Sequence, residues 1–240
     1  MLPATWNLNN RAGKTRFRPE AADAAVALGA DLIAFTEYFP GKYHEVFCRT
    51  LTNAGWMYQS LSQETRERAN RVLIASRIPL AIEVLDLPTF DFQFSANIAA
   101  VTLPALGLRV VGVRVPAYTG CARAKIGSSW DWLEGVATMW RDTPTVLTGD
   151  LNVRLTSEEG KGGEHFRRIQ SNSWTRARPS EGFSYYGPRE VRSEIDHVLF
   201  TKHCIVQDAR YVTEAGKHIL AGAVSALSDH AALMVEINVV

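Results

Sequence analysis

Five hydrophobic segments of the chain end in residues that can bind a metal ion or move a proton. These ends carry Asn7 and Asn9, Glu37, Asp150 and Asn152, Asp196 and His197, and Asp229 and His230. Asp150 and Asn152 are two residues apart, so in an extended strand both side chains point the same way. Ligand sites in α/β proteins gather at strand ends, where loops expose side chains above a rigid sheet. We therefore predict that the five ends form one shared cleft.

The oxygen-rich character of this set predicts a hard divalent cation. Mg²⁺ and Mn²⁺ bind carboxylate and carboxamide oxygens through few protein ligands, and waters and substrate phosphate complete the shell. Zinc fits less well, because the set contains no cysteine. An aspartate beside a histidine can orient the imidazole for proton transfer near neutral pH, whereas His197 is expected to pack beside its strand end. Together these groups predict hydrolysis of a phosphate ester.

The elements that must position these residues alternate between strands and helices. We predict strands over Leu2–Asn9, 31–37, Arg71–Ser76, Leu80–Leu87, Phe94–Leu103, Leu108–Val115, 144–153, Ile195–Thr201, Ile205–Val212 and Ala231–Val239. We predict helices over 19–28, Tyr43–Gly55, Ser128–Arg141 (capped by Ser128 or Ser129) and Glu164–Ser171. Strands outnumber helices and occur both in βαβ units and in hairpins, which predicts two packed mixed sheets with helices outside. No linker or repeat divides the chain, so we predict a single domain over 1–240.

Composition excludes several classes of protein. The chain has 240 residues, of which 46% are hydrophobic and 21% charged, which excludes a disordered, collagen-like or coiled-coil protein. Its 26 basic and 25 acidic residues argue against a uniformly basic surface, although a local basic face stays open. Cys48, Cys121 and Cys204 form no C-x-x-C pair. Neither a signal peptide nor a long apolar run is visible, so we predict a cytoplasmic protein with no membrane span and no obligate protein partner.

Seven short motifs, in order along the chain, resemble those of the endonuclease/exonuclease/phosphatase superfamily, whose members are metal-dependent phosphohydrolases similar to pancreatic-type deoxyribonuclease. The motifs are T-W-N-L-N (5–9), A-D-L-I-A-F-T-E (30–37), N-R-V-L-I-A-S-R-I-P-L (70–80), V-V-G-V-R-V-P (110–116), T-G-D-L-N (148–152), S-E-I-D-H-V-L (193–199) and S-D-H (228–230). One tripeptide alone would mean little, but the series spans the whole chain. The resemblance implies an α/β fold, a four-layer α/β/β/α sandwich with its site along one edge of the paired sheets.

The resemblance also assigns roles to individual residues. Asn7 and Glu37 resemble the metal-site asparagine and glutamate, which implies Mg²⁺ or Mn²⁺ as cofactor. Asp150 and Asn152 resemble the pair that positions the nucleophilic water and the scissile phosphate. Asp229 resembles the residue that supports the metal or the attacking water.

Asp196 resembles the aspartate that orients the terminal histidine, here His230.

The sequence departs from the family pattern at two positions, Arg114 and Asn9. Arg114 stands where many members have His and the abasic-site nucleases have Tyr; it can bind a phosphate oxygen, or it can form a salt bridge to a site carboxylate. Asn9 stands where some members carry an acidic second metal ligand. Protonation of the leaving group then falls to metal-bound water or to Tyr118, which is also a candidate for substrate binding.

The substrate class predicted from the sequence is a phosphodiester, and nucleic acid is favoured. Apart from the four acidic residues of the predicted site, the chain has 21 acidic and 26 basic residues, and the basic residues cluster at 11–18 and 167–192. The four are Glu37, Asp150, Asp196 and Asp229. The aromatic residues of SYYGPR (184–189) are suited to base stacking. A phospholipid, phosphoinositide or nucleotide is the alternative, with PTFDFQF (88–94) as a possible apolar loop. A catalytically weakened binding protein of the same fold is a further alternative, motivated by Arg114.

Overall fold

The computed structural model describes residues 1–10, 17–63, 69–85, 97–117, 123–156 and 162–240, without the side chains of 123–126. Several predicted features lie outside the described residues: the apolar loop at 88–94, Tyr118, Cys121 and the basic residues Arg11, Lys14 and Arg16. Within the described residues, no helix is long and apolar enough to cross a membrane.

The described residues form strands and helices that match most of the predicted elements. The strands are β1 (Pro3–Asn7), β2 (Leu32–Tyr38), β3 (Tyr58–Leu61), β4 (Arg71–Ser76), β5 (Ala81–Ile82), β6 (Ile98–Leu103), β7 (Leu108–Arg114), β8 (Thr145–Asp150), β9 (Trp174–Arg176), β10 (Tyr185–Tyr186), β11 (Arg192–Ser193), β12 (Asp196–Thr201), β13 (Cys204–Val212), β14 (Glu214–Ala215), β15 (His218–Ile219) and β16 (Ala232–Val239). The helices are α1 (Glu20–Ala27), α2 (His44–Asn53), α3 (Arg123–Trp140) and α4 (Gly163–Ser171).

Two six-stranded mixed sheets make up the centre of the fold. The first sheet has the order β13-β16-β1-β2-β4-β3, and the second has the order β5-β6-β7-β8-β12-β9. Each contains one parallel pair, β1 with β2 and β7 with β8. Three apolar clusters separate the layers: one lies between the sheets, one under α1 and α2, and one under α3 and α4. The predicted α/β/β/α sandwich is confirmed.

Strand alternation explains which side chains face the seam between the sheets. Successive residues of a strand point to opposite faces. In β8, Val146 packs between the sheets and Leu147 packs under the helices, so Asp150 falls on the seam side. The same parity, set by Val198 in β12, places Asp196 on the seam side. Polar residues at the ends of these strands therefore meet at one edge of the seam.

Two sequence predictions about individual elements are wrong. Helix α3 already includes Arg123, so Ser128 and Ser129 lie inside it and do not cap it. The strand predicted over 80–87 is reduced in the described residues to the two residues of β5. The predicted end of α1 is correct: Gly29 adopts φ +70° after the last turn and its N–H donates to Val26 O.

Gly149 lets β7 and β8 pair closely just before the site. It adopts φ +144°, and an added Cβ would lie 1.9 Å from the carbonyl oxygen of Val113. Gly149→Ala is therefore expected to lower the free energy of unfolding by about 3 kcal/mol, through backbone displacement and strain. Gly135→Ala in α3, where an added Cβ meets nothing within 4 Å, is the control and should raise stability slightly. Urea unfolding checks both; equal stability of the two variants would contradict the prediction.

Candidate active site

A cleft of about 660 Å³ lies at the edge of the seam where the polar strand ends meet. It is lined by Asn9, Glu37, Arg114, Ala117, Asp150, Asn152, Arg154, Thr156, Tyr185, Ser193, Ile195, Asp229 and His230. All five strand ends identified in the sequence therefore reach this region, either lining the cleft or contacting a residue that lines it.

Asp150 is the centre of a hydrogen-bond cluster at the base of the cleft. Asn7 Nδ2 donates to Asp150 Oδ2 over 2.9 Å, from the first sheet to the second. Asn152 donates to the same oxygen through Nδ2 (3.0 Å) and to Oδ1 through its backbone N–H (3.0 Å). The Nδ2 of Asn152 also donates to the carbonyl oxygen of Val115 over 2.8 Å. Both asparagines are thus held in place around one carboxylate.

The environment of Asp150 changes its proton affinity. The residue is only 2% exposed. Burial raises the pKa of its carboxyl to about 7, the negative charge of Asp196 adds to this effect, and the positive charges of His230 and Arg114 oppose it. A carboxylate with a pKa near the working pH can accept a proton efficiently, which is what a general base requires.

Asp196 and His230 form a buried ion pair beside this carboxylate. His230 Nδ1 lies 2.7 Å from Asp196 Oδ2. Burial alone would lower the pKa of His230, but the charge of Asp196 and its hydrogen bond outweigh burial and raise the pKa to about 9. The indole N–H of Trp6 donates to the His230 carbonyl oxygen, and Ser228 Oγ accepts the His230 N–H. The imidazole is therefore fixed in orientation and positively charged at neutral pH.

Glu37 reaches the cleft because β2 is irregular at its end. Ile33 and Phe35 pack under the helices, so regular alternation would turn Glu37 to that same side. Instead the pairing of β2 with β4 shifts register between Phe35 and Tyr38, and Glu37 adopts φ +49°. Tyr38 takes the helix-facing place. This bulge re-aims the carboxylate of Glu37 into the cleft.

Arg114 pairs with two acids of the cleft. Its Nη2 lies 2.7 Å from Glu37 Oε1, and its Nε lies 3.8 Å from Asp150 Oδ2. Both side chains of the closer pair are largely shielded, at 19% exposed for Arg114 and 16% for Glu37. Of the two interpretations of Arg114 from the sequence, the structure shows the salt bridge to a site carboxylate. The guanidinium still lines the cleft, where it can meet an anionic ligand.

The donor set of the cleft fits Mg²⁺ or Mn²⁺. In the described part of the chain, no three His, Cys, Asp or Glu side chains converge as a ready-made metal cage. Mg²⁺ does not need such a cage, because one or two carboxylates with waters and substrate oxygens suffice. Glu37 and Asp229 supply carboxylates at the cleft. Asn7 Oδ1 accepts the N–H of Asn9 and keeps a second lone pair for another partner.

Some residues of the cleft were not singled out from the sequence. Arg154 and Thr156 follow Asn152 at intervals of two, and this spacing after a strand end was the available signal. Tyr185 lines the cleft with its ring centroid 5.2 Å from that of His230, and the SYYGPR segment had been noted only for its aromatic residues. Asp229 Oδ1 lies 3.9 Å from His230 Nε2.

His197 is buried and packs beside its strand end, as predicted from the sequence. Its Nε2 donates to the Val153 carbonyl oxygen over 2.8 Å, and its ring centroid lies 4.8 Å from that of Phe166. Burial lowers the pKa of His197 from 6.5 to about 4, so the folded protein keeps it neutral. It is a structural residue below the cleft floor.

The lowered pKa of His197 predicts a loss of stability in mild acid. Above pH 6.5 the His197 side chain is neutral in both the folded and the unfolded protein. Below pH 6.5 it binds a proton in the unfolded protein, whereas in the folded protein it stays neutral down to about pH 4. Over this window His197 should remove up to about 3 kcal/mol from the free energy of unfolding. His197→Gln should flatten the pH dependence of urea unfolding, and His218→Gln on the short strand β15 should not. An unchanged slope in His197→Gln would contradict this.

Comparison with known proteins gives a consistent match. The model of the Endonuclease/Exonuclease/phosphatase family matches residues 4–230. An AP endonuclease from Archaeoglobus fulgidus superposes with TM-score 0.75 at 17% identity, covering 100% of both chains. The 3′ phosphatase NExo from Neisseria, bound to a product DNA hairpin, has TM-score 0.73 at 19% identity and 99% coverage of both. A mannosyl-6-phosphatase from Bacteroides thetaiotaomicron has TM-score 0.65 at 15% identity and 99% coverage of both. No curated protein sequence matches the chain.

Proposed function

Because the chain belongs to the endonuclease/exonuclease/phosphatase family, whose members are generally phosphoric ester hydrolases, we propose that it is a Mg²⁺- or Mn²⁺-dependent phosphodiesterase acting on nucleic acid. The observation that carries the proposal is the meeting of the Asn7–Asp150–Asn152 cluster with the Asp196–His230 pair at one cleft. A proton acceptor and a fixed positive charge at one cleft are the components that hydrolysis of a phosphate ester needs.

In this proposal Asp150 orients the attacking water and takes its proton. The raised pKa of its carboxyl suits a base at neutral pH. Asn7 and Asn152 donate to this carboxylate and hold it in place for the water. The water then attacks phosphorus, the bond from phosphorus to the leaving oxygen breaks, and that oxygen takes up a proton from the solvent-filled cleft.

Positive charge in the cleft stabilises the phosphoryl group as it gains negative charge. His230, charged through its pair with Asp196, donates from Nε2 to a phosphoryl oxygen. Arg114, the last residue of β7, supplies a second positive charge to the cleft. Glu37, with Asn7 and Asp229, would hold the divalent cation, which when bound supplies Lewis-acid charge to a phosphoryl oxygen.

Nucleic acid is the proposed substrate class. Two of the structural neighbours are an AP endonuclease and a 3′ phosphatase solved with product DNA, which supports DNA as a candidate. The basic segment 167–192 supports it only in part, because Arg168 pairs with Glu134 and Arg176 pairs with Glu194. Arg189 and Arg192 stay exposed on the β10–β11 hairpin.

Hydrolysis of bis(p-nitrophenyl) phosphate and of a labelled oligonucleotide tests the proposal. We expect both substrates to be cleaved in the presence of Mg²⁺ or Mn²⁺. EDTA should lower the rate of cleavage at least 100-fold, and added metal should restore it. Cleavage that persists in EDTA would contradict metal dependence. Turnover of a phosphomonoester or a phosphoinositide, with no cleavage of either diester, would favour the phosphatase alternative. Absence of any product would favour a binding protein.

The salt bridge between Arg114 and Glu37 predicts competition with the metal. Arg114→Gln frees the Glu37 carboxylate for the metal. The Kd for Mn²⁺, measured by isothermal titration calorimetry, should therefore fall about tenfold, which corresponds to about 1.4 kcal/mol of binding free energy. Loss of the charge should also lower kcat about 100-fold. Arg109→Gln on the same strand, where Arg109 pairs with Glu83 away from the cleft, is the control. Weaker Mn²⁺ binding by Arg114→Gln would contradict the competition.

A further inference from the structure

A second groove, of about 520 Å³, adjoins the cleft. The two cavities share Asn9 and Asp229 in their walls, so they are immediate neighbours. Apart from the shared Asp229, the residues of this groove have no catalytic or metal-binding role in the proposal above. Its walls are the β10–β11 hairpin on one side and the segment 222–226 on the other.

The hairpin wall carries an aromatic ring covered by a guanidinium. Tyr186 and Arg192 are directly opposite in the β10–β11 pairing. The Arg192 Cζ lies 4.7 Å from the centroid of the Tyr186 ring, a cation–π contact that holds the guanidinium near the ring. The N–H of Tyr186 donates to the carbonyl oxygen of Asp229 over 2.8 Å. The hairpin is therefore tied to the segment that carries His230.

The opposite wall approaches this ring closely because it contains a glycine. Gly222 adopts φ +89°, and an added Cβ would lie 3.4 Å from the Tyr186 ring. Beyond it Val224 is fully exposed. One wall of the groove is thus small and apolar, and the other presents the Tyr186–Arg192 pair.

The charges of the groove argue against a second phosphate site. Arg192 is opposed by Glu190 and Asp229 in the lining, so the groove has no excess of positive charge. Apolar small residues facing a guanidinium–aromatic pair suit a flat, uncharged, polar-edged group. A nucleobase has this character, and the fatty acyl chain of a lipid does not.

We propose that this groove binds the nucleoside next to the scissile phosphate, with its base stacked against the Tyr186–Arg192 pair. The inference rests on the proposed function and narrows it: the favoured substrate is an oligonucleotide that fills both cavities. Arg192 and Tyr186 determine specificity, and they do not touch the reacting atoms.

Two variants test the groove. Arg192→Gln removes the guanidinium, and Ala223→Trp fills the groove from its exposed opposite wall. Arg210→Gln, on β13 where Arg210 is exposed and pairs with Asp208, is the control with the same change in charge. Affinity for a fluorescein-labelled oligonucleotide is measured by anisotropy in EDTA, and kcat/KM is measured with metal on the oligonucleotide and on bis(p-nitrophenyl) phosphate.

We expect both groove variants to weaken oligonucleotide binding about tenfold, and to lower the ratio of oligonucleotide to bis(p-nitrophenyl) phosphate kcat/KM by a similar factor. Arg210→Gln should match the wild type. Wild-type oligonucleotide affinity in both groove variants would overturn the proposal. Binding to phosphatidylinositol vesicles is measured alongside, and groove variants that bind only the vesicles more weakly would overturn it as well. Groove-dependent oligonucleotide binding with no hydrolysis of any diester would support the groove and contradict the proposed phosphodiesterase.

Discussion

Asp150→Asn is expected to lower kcat by about 10³-fold while the protein stays folded. The variant loses the proposed acceptor of the proton of the attacking water, and a general base contributes about 10² to 10⁴ in rate. The new amide oxygen can still accept from Asn7 and Asn152, but its NH₂ would face the backbone N–H of Asn152, so one hydrogen bond is lost. Since burial already disfavours the charged carboxylate, we expect Tm to change by only a few degrees.

The matched control for Asp150→Asn is Asp208→Asn. Asp208 is exposed on β13 and pairs with Arg210, so the same chemical change occurs far from the cleft. It should leave kcat within twofold of wild type. Steady-state kinetics on bis(p-nitrophenyl) phosphate, with thermal unfolding alongside, checks both variants. A folded Asp150→Asn variant with kcat within tenfold of the wild type would show that this carboxylate is not the base.

His230→Gln is expected to lower kcat by about 300-fold, the second largest effect. The imidazole is positively charged because Asp196 holds the proton on it, and a fixed charge that stabilises developing negative charge contributes about 10² to 10³ in rate. Asp196→Asn should cause a loss of similar size, because the neutral amide no longer raises the pKa of His230 or fixes its ring. KM should change less than kcat in both variants.

A double-mutant cycle separates this pair from two independent contributions. If Asp196 acts through His230, the double variant should be about as slow as His230→Gln alone, since the second change removes nothing further. The variant His218→Gln, away from the cleft, controls for loss of a histidine. Losses that multiply in the double variant would contradict a positioning role for Asp196.

The seam-facing residues were predictable from the sequence, because strand alternation decides their direction. Asn7 and Asp150 end regular apolar strands and Asp196 begins one, and the structure brings them together at the expected edge. Glu37 was identified as a polar strand end, but its strand parity points to the helices and did not predict that it faces the cleft. Its direction depends on a register shift and a positive φ, and neither has a local signal in the sequence.

The short strands are the least predictable part of the fold. The pairs β10–β11 and β14–β15 have two residues per strand, too few for an alternation of polar and apolar residues to show. Their positions are fixed by partners distant in sequence, as when the N–H of Ala231 donates to the Ser184 carbonyl oxygen. The wall of the second groove is built from such contacts, so the sequence indicated aromatic residues there and no cavity.

The position of β16 in the first sheet determines when the site can form during synthesis of the chain. β16 is the last strand in the sequence, yet it pairs with β1, the first strand to be synthesised, and with β13. A polypeptide still on the ribosome that has emerged only through β12 contains Asp150 and Asp196, but neither His230 nor the strand that pairs with β1. The cleft is therefore complete only late in biosynthesis, after His230 and β16 have been made.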